Sequence, residues 1–161
     1  MPKYVRKLEK AVWWDSAEGA SENALTSDAL KNAATNNGEL SIYEVPSDDD
    51  LLIIMAALAY RRNALRDVDF CIFDGSALDA CEIKTSRTRG NTGCRHVDEL
   101  HLDMVSLTAI SVTRFVCKAA HSGLLDSFDK EQVKNKIIEL VGNGDLDATH
   151  IHVDMKKVLS L

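Results

Sequence analysis

The chain has 161 residues and a formal net charge of -6, with 45% hydrophobic and 27% charged residues. This length suits one domain with its own core, so we expect a single domain over residues 1–161. The composition excludes a disordered chain, and the longest apolar run, residues 51–60, is about half of what a membrane span needs. The acidic charge argues against general nucleic-acid binding, although a local basic patch could still bind nucleic acid.

The cysteine pattern and the N-terminus predict a cytoplasmic protein. The charged residues at the start are not followed by an apolar segment, so no secretory signal is expected. No two cysteines form a C-x-x-C pair, which favours a reduced compartment and gives no sign of a disulfide framework. No cofactor is needed to explain folding, and none is predicted. The cysteines are Cys71, Cys81, Cys94 and Cys117.

The N-terminal third predicts two strands separated by a helix. Residues 3–14 alternate as a strand does, so the adjacent Trp13 and Trp14 point to opposite faces. One is expected to pack in the core, and the other needs a covering helix or a partner. Thr26 or Ser27 can cap a helix that runs to residue 34. Residues 39–45 predict the second strand.

Residues 47–74 carry the strongest structural pattern in the chain. Ser47 and Asp50 fit a capping box, followed by an apolar helix that ends near Arg62. Residues 68–73 then predict a buried strand. The resulting β-α-β-α-β order predicts an α/β fold, with a mostly parallel or mixed sheet of about four to five strands and helices packed on its faces.

The second half is predicted to be mainly helical. Asp98 is expected to cap a long helix, because apolar residues from Met104 to Ala119 recur at helical spacing. The predicted elements are a helical turn over 75–81, an extended piece over 82–84, a flexible basic loop over about 85–97, helices over 98–121 and about 126–141, and a strand over 149–155.

Asp74 is a candidate ligand-binding residue, since ligands bind at the carboxyl ends of strands in open parallel sheets. Asp74, Gly75 and Ser76 superficially resemble the first motif of haloacid-dehalogenase-like phosphatases, which needs two aspartates one residue apart. Ile72 stands where the nucleophile belongs in one alignment, and Ser76 replaces the acid in the other. Because the essential carboxylate is missing either way, this resemblance assigns no family and no activity.

The basic loop over residues 84–96 predicts a site for an anion or an acidic partner. Glycines let backbone N–H groups approach a phosphate, and arginines can donate two hydrogen bonds to its oxygens. The spacing matches neither a P-loop nor a dinucleotide fingerprint. The candidate contact residues are Arg87, Arg89 and Arg95.

Two groups of residues are candidate metal ligands, although their spacings match no named metal site. The first group surrounds the basic loop, and the second alternates along the predicted last strand. Their members are Cys94, His96 and His101 in the first group and His150, His152 and Asp154 in the second.

Three functional hypotheses follow from these patterns. The favoured hypothesis is a non-enzymatic module that binds a protein partner or a second copy of itself, since no complete nucleophile–base signature is present. The first alternative is phosphate, nucleotide or nucleic-acid binding through residues 84–96. The second alternative is a metal-dependent hydrolase that uses one of the His/Asp groups.

Overall fold

The computed structural model describes residues 1–9 and 38–160, so the predicted helix ending at residue 34 and both tryptophans lie outside the described residues. The strands are β1 (Lys3–Lys7), β2 (Leu40–Glu44), β3 (Val68–Asp74), β4 (Lys84–Arg87), β5 (His101–Val105) and β6 (Leu124–Phe128). The helices are α1 (Asp48–Ala59), α2 (Gly75–Ala80), α3 (Arg95–Glu99), α4 (Ala109–Ser122), α5 (Lys130–Gly142) and α6 (Val153–Leu159), with a 3-10 turn over Ala148–His150.

The described strands form one six-stranded antiparallel sheet, in the order β4-β5-β2-β1-β3-β6. The prediction of a mostly parallel or mixed sheet of four to five strands is therefore wrong, although helices and strands do combine in one fold. Strands β2 and β3, joined through α1, run in the same direction because both are antiparallel to β1. They are not neighbours, since β1 lies between them. The β-α-β pattern was present, but the sequence did not show that another strand separates its two strands.

Strand β5 was missed because helical spacing continued through it, and β6 was missed because its second half was assigned to the start of the next helix. The predicted helix over 98–121 is divided into α3, β5 and α4, and Ser106 turns the chain between β5 and α4 with a φ of 58°. The predicted helix from about 126 starts inside β6, and α5 follows it. The predicted strand over 149–155 is also wrong, because His152 caps α6 with its side chain accepting a hydrogen bond from the amide of Asp154.

Helix α1 covers one face of the sheet and begins as predicted. Ser47 accepts a hydrogen bond from the amide of Asp50 at 3.2 Å, and three aspartates occupy the first turn. Ile54 and Met55 are fully buried on this face. They join one apolar cluster with residues from α5, α6 and the sheet, including Ile137, Met155 and Phe70.

Helices α2 and α4 pack on the opposite face. Phe115 of α4 lies edge-on to Phe73 of β3, with ring centroids 5.0 Å apart. Thr108 and Ser111 form a capping box that begins α4. Among the helices that the structure describes, none combines the length and the apolar character required to cross a membrane.

Truncating Ile137 to alanine should destabilise the fold by about 2 to 5 kcal/mol, because it leaves a cavity where α5 meets the cluster under α1. Ile110 offers a matched control, since 64% of it is exposed and its truncation should change stability by less than about 0.5 kcal/mol. Urea denaturation measures both variants. Equal stability of the two variants would contradict this placement of α5.

Candidate functional site

The predicted basic loop contains β4, a connection over residues 88–94 and α3. Asp98, which is buried in α3, organises this connection. Its Oδ1 accepts hydrogen bonds from the amide of Thr92 at 2.6 Å and from the Thr92 hydroxyl at 2.7 Å. The amide of Gly90 donates to the Asp98 carbonyl oxygen at 3.0 Å. A buried carboxylate needs such partners, so burial of Asp98 fixes the path of the connection.

The two glycines of the connection allow close packing. A Cβ at Gly90 would lie 2.9 Å from Asp98 Oδ1, and a Cβ at Gly93 would lie 2.2 Å from the Tyr60 hydroxyl. Gly93 also has a φ of 87°, which favours glycine. Because the amides of Gly90 and Thr92 already donate within the protein, these two amides are not available to a phosphate.

Arg61, which follows α1, also binds the same connection. Its Nη1 donates to the carbonyl oxygen of Asn91 at 3.1 Å, and its Nε donates to the Tyr60 hydroxyl at 3.0 Å. Arg61 Nη2 also lies 3.4 Å from Nδ1 of His150. The connection is therefore held from both sides, by α3 and by the residues that follow α1.

The structure brings the three predicted arginines to one open cleft of about 690 Å³. Arg87 ends β4, Arg89 lies in the connection, and Arg95 begins α3. We call this feature the arginine cleft. Its lining residues are Arg87, Thr88, Arg89, Arg95, Asp98 and Glu99.

The three arginines differ in their partners. Arg87 forms an ion pair with Glu44 and donates to the carbonyl oxygen of Glu99 at 2.7 Å. Arg95 Nε lies 3.0 Å from Glu99 Oε1. Arg89 is exposed and forms no hydrogen bond or ion pair within the described parts of the chain. Arg89 is thus the arginine of the cleft whose hydrogen-bond donors are available to a ligand.

A second cavity, of about 460 Å³, lies behind the connection. Its floor is formed by β2 and β5, where Tyr43 lies opposite His101 and Ser41 lies opposite Asp103. Arg89 lines this cavity as well as the arginine cleft. We call it the tyrosine cavity. The lining residues that concern its chemistry are Ser41, Tyr43, Arg61, Arg89, His101 and Asp103.

Asp103 is the acceptor at the centre of the cavity floor. Ser41 donates to its Oδ1 at 3.1 Å, and Thr88 donates to its Oδ2 at 2.7 Å. The Thr88 hydroxyl also lies 2.9 Å from Nδ1 of His101. Because this hydroxyl has one proton and gives it to Asp103, it accepts from a protonated Nδ1 of His101. A carboxylate offers about four acceptor positions, so Asp103 can still accept from a ligand.

Tyr43 presents a solvent-reached hydroxyl at the floor. Only 7% of the residue is exposed, and its ring packs edge-on against the His101 ring with centroids 5.1 Å apart. Its hydroxyl has no hydrogen-bond partner in residues 1–9 or 38–160. Burial, assisted by the charge of Asp98, raises the pKa of Tyr43 to about 12. The hydroxyl therefore keeps its proton at neutral pH and can donate as well as accept.

The candidate metal ligands are dispersed. His96 Nε2 contacts Asp50 Oδ1 at 2.6 Å, whereas His101 lies in the tyrosine cavity. His150 lies in the 3-10 turn, whereas His152 caps α6 with its Nδ1 3.6 Å from Asp154 Oδ2, so the structure brings together only these two of the second group. Within the described ranges, no group of three or more histidine, cysteine or acidic residues is placed to hold a metal ion.

Two further predicted residues lie in unexpected surroundings. Cys94, a candidate metal ligand, is 1% exposed, and burial raises the pKa of its thiol, which disfavours the thiolate that binds metal. Asp74 precedes α2 at the end of β3, but its neighbouring strand is antiparallel. Asp74 therefore does not lie at an edge where the carboxyl ends of parallel strands meet, and its prediction as a ligand-binding residue loses its basis.

Comparison with known proteins does not identify this chain. No family model matches it, and no curated protein or solved structure matches it either. Its function therefore has to be argued from the arginine cleft and the tyrosine cavity.

Replacing Gly93 by alanine should lower the free energy of unfolding by about 1 to 3 kcal/mol from backbone strain alone. The clash of the new Cβ with the Tyr60 hydroxyl should add to this loss. Gly142 provides the control, since it ends α5 with nothing within 4 Å of an added Cβ. Alanine there should be neutral or stabilising by up to about 1 kcal/mol. Chemical denaturation compares the two, and a fully stable Gly93→Ala variant would show that the connection does not pack on Tyr60.

Proposed function

We propose that this chain is a binding module that recognises an anionic group, phosphoryl or carboxylate, in the arginine cleft. The observation that carries the proposal is the meeting of Arg87, Arg89 and Arg95 around one open cleft of about 690 Å³. Guanidinium groups donate paired hydrogen bonds that match the oxygens of phosphate and carboxylate. The net charge of -6 repels anions from most of the surface, so a local cluster of arginines is the place where an anion can bind.

An incoming anion would meet Arg89 first. This side chain has no internal partner among the residues described, so its donors need not be released from another contact. Arg95 is 85% exposed in its pair with Glu99, and Arg87 is 53% exposed in its pair with Glu44. Exposed ion pairs contribute at most about 1 kcal/mol. Arg95 can therefore turn towards an anion at small cost, whereas Arg87 would also have to release the carbonyl oxygen of Glu99.

The recognition depends on arginine side chains rather than on a glycine-rich backbone cradle. Gly90 and Gly93 serve close packing, and the amide of Thr92 is used by Asp98. This accounts for the lack of P-loop spacing, because the loop does not have to wrap a phosphate. The same arginines were candidates for contact with a protein partner, and an anionic group on such a partner is one form of the proposed ligand. Trp13 and Trp14, the other candidates for that contact, stay a sequence prediction.

Replacing Arg89 by alanine should weaken binding of inorganic phosphate or pyrophosphate at least about tenfold, because hydrogen bonds to charged groups contribute more than neutral ones. Replacing all three arginines should abolish it. Titration of the ¹⁵N-labelled protein, followed by amide chemical shifts, detects weak binding and reports which residues respond. The shifts should be confined to residues 87–99 and should shrink as the salt concentration rises.

Arg66→Ala is the matched control, since it removes one exposed arginine that lies outside the arginine cleft, in the connection between α1 and β3. It should leave phosphate binding unchanged. Equal weakening by Arg66→Ala and Arg89→Ala would reduce the effect to net charge and would refute a site at the cleft. The absence of any shift in the unmodified protein would refute the proposal outright.

A further inference from the structure

The tyrosine cavity contains a feature that anion binding at the arginine cleft does not use. Most of Tyr43 is buried and the residue lines this cavity, whereas its hydroxyl is reached by solvent and has no hydrogen-bond partner in the described residues. A ligand that enters the cavity can replace the water at this hydroxyl and form a hydrogen bond with it. The cavity volume of about 460 Å³ lies in the range of small-molecule sites, roughly 300 to 1,000 Å³.

We infer that the tyrosine cavity binds the hydroxyl-bearing body of a phosphorylated sugar or nucleotide, whose phosphate lies at Arg89. This inference rests on the proposed function, because Arg89 supplies the anion contact. It deepens that function by naming a ligand class.

The acceptor chemistry of the floor favours a sugar. Asp103 accepts from Ser41 on Oδ1 and from Thr88 on Oδ2, and His101 Nε2 lies 3.6 Å from Oδ1, beyond hydrogen-bonding distance. The carboxylate therefore keeps acceptor positions for a ligand. Two adjacent hydroxyl groups of a sugar present two O–H donors to such a carboxylate. The sugar-binding aspartate or glutamate of dinucleotide sites uses the same acceptor chemistry. The Tyr43 hydroxyl can then donate to a ring or hydroxyl oxygen of the sugar.

The position of Arg89 connects the two halves of this ligand. Arg89 lines both the arginine cleft and the tyrosine cavity, so a molecule with its phosphate at Arg89 has direct access to both. Arg61, on the cavity wall, is already engaged by the Asn91 carbonyl and the Tyr60 hydroxyl. Its role is to hold the wall in place, which leaves Arg89 as the cation for the phosphate.

The test compares inorganic phosphate, ribose 5-phosphate and ribose in the same ¹⁵N-monitored titration of the whole chain. Ribose 5-phosphate should bind at least about tenfold more tightly than phosphate, because it adds hydrogen bonds to Asp103 and Tyr43. Its shifts should extend to residues 41–43 and 101–103. Tyr43→Phe should weaken the binding of ribose 5-phosphate about fivefold and leave the binding of phosphate unchanged.

Tyr43→Phe should fold normally, since the hydroxyl that it removes has no partner in the described structure. Tyr4→Phe makes the same chemical change on the other face of the sheet, where Tyr4 contacts Phe73, and should leave the affinity for ribose 5-phosphate unchanged. Asp103→Asn, checked for an intact spectrum, should also reduce the gain without affecting phosphate.

The outcomes separate the two proposals. If phosphate binds but ribose 5-phosphate binds no more tightly, the cavity holds only solvent and this inference is wrong, while the proposed function stands. If neither binds, both are wrong. A gain that survives both Tyr43→Phe and Asp103→Asn would place the sugar elsewhere and would also overturn the inference.

Discussion

The interaction on which both cavities depend is the pair of hydrogen bonds that Thr92 donates to Asp98. A buried carboxylate without donors would cost several kcal/mol, and the Thr92 amide and hydroxyl together satisfy one of its oxygens. In return, the connection over residues 88–94 folds back over α3 instead of extending into solvent. That path sets Arg89 between the arginine cleft and the tyrosine cavity. A local hydrogen-bond requirement thereby determines where the available cation lies.

The sheet supplies the other half of the arrangement. Strands β2 and β5 are distant in sequence, and their antiparallel pairing places Ser41 beside Asp103 and Tyr43 beside His101. These polar side chains share one face, while Ile42 and Leu102 point to the apolar cluster on the other. The connection then closes over the polar end of the sheet. The pairing of these strands therefore produces a polar floor within a largely apolar fold. A ligand can contact these polar groups because they line an open cavity, which Arg89 also lines.

The parts of the fold that local pattern determines were predictable. The cap at Ser47, the apolar run of α1 and the buried strand β3 all lie close to their expected positions. The sheet order was not predictable, because nothing in residues 40–74 shows that β1 inserts between β2 and β3. Strand β5 was hidden because its apolar residues continue the helical spacing of α4. The turn at Ser106 that separates them uses a backbone conformation that composition does not reveal.

The candidate site, like the fold, was predictable only where it depends on local sequence. The three arginines were identifiable from the sequence, since charge density in a glycine-containing segment is a local property. Asp98 was mistaken for a helix cap, and Tyr43 was not singled out, because the importance of each depends on burial and on partners from other elements. Ser41 and Tyr43, like His101 and Asp103, are two residues apart, and this spacing could have predicted that each pair lies on one face of a strand. It required recognising β5 as a strand first.

The central claim is that Asp98 fixes the connection that carries Arg89, and hydrogen exchange of the Thr92 amide tests it most directly. An amide in an exposed loop exchanges at close to its intrinsic rate, whereas one bonded to a buried carboxylate is protected. The Thr92 amide should exchange at least about a hundredfold more slowly than the intrinsic rate, because exchange requires opening of the Asp98 contact. Exchange at the intrinsic rate would contradict this claim.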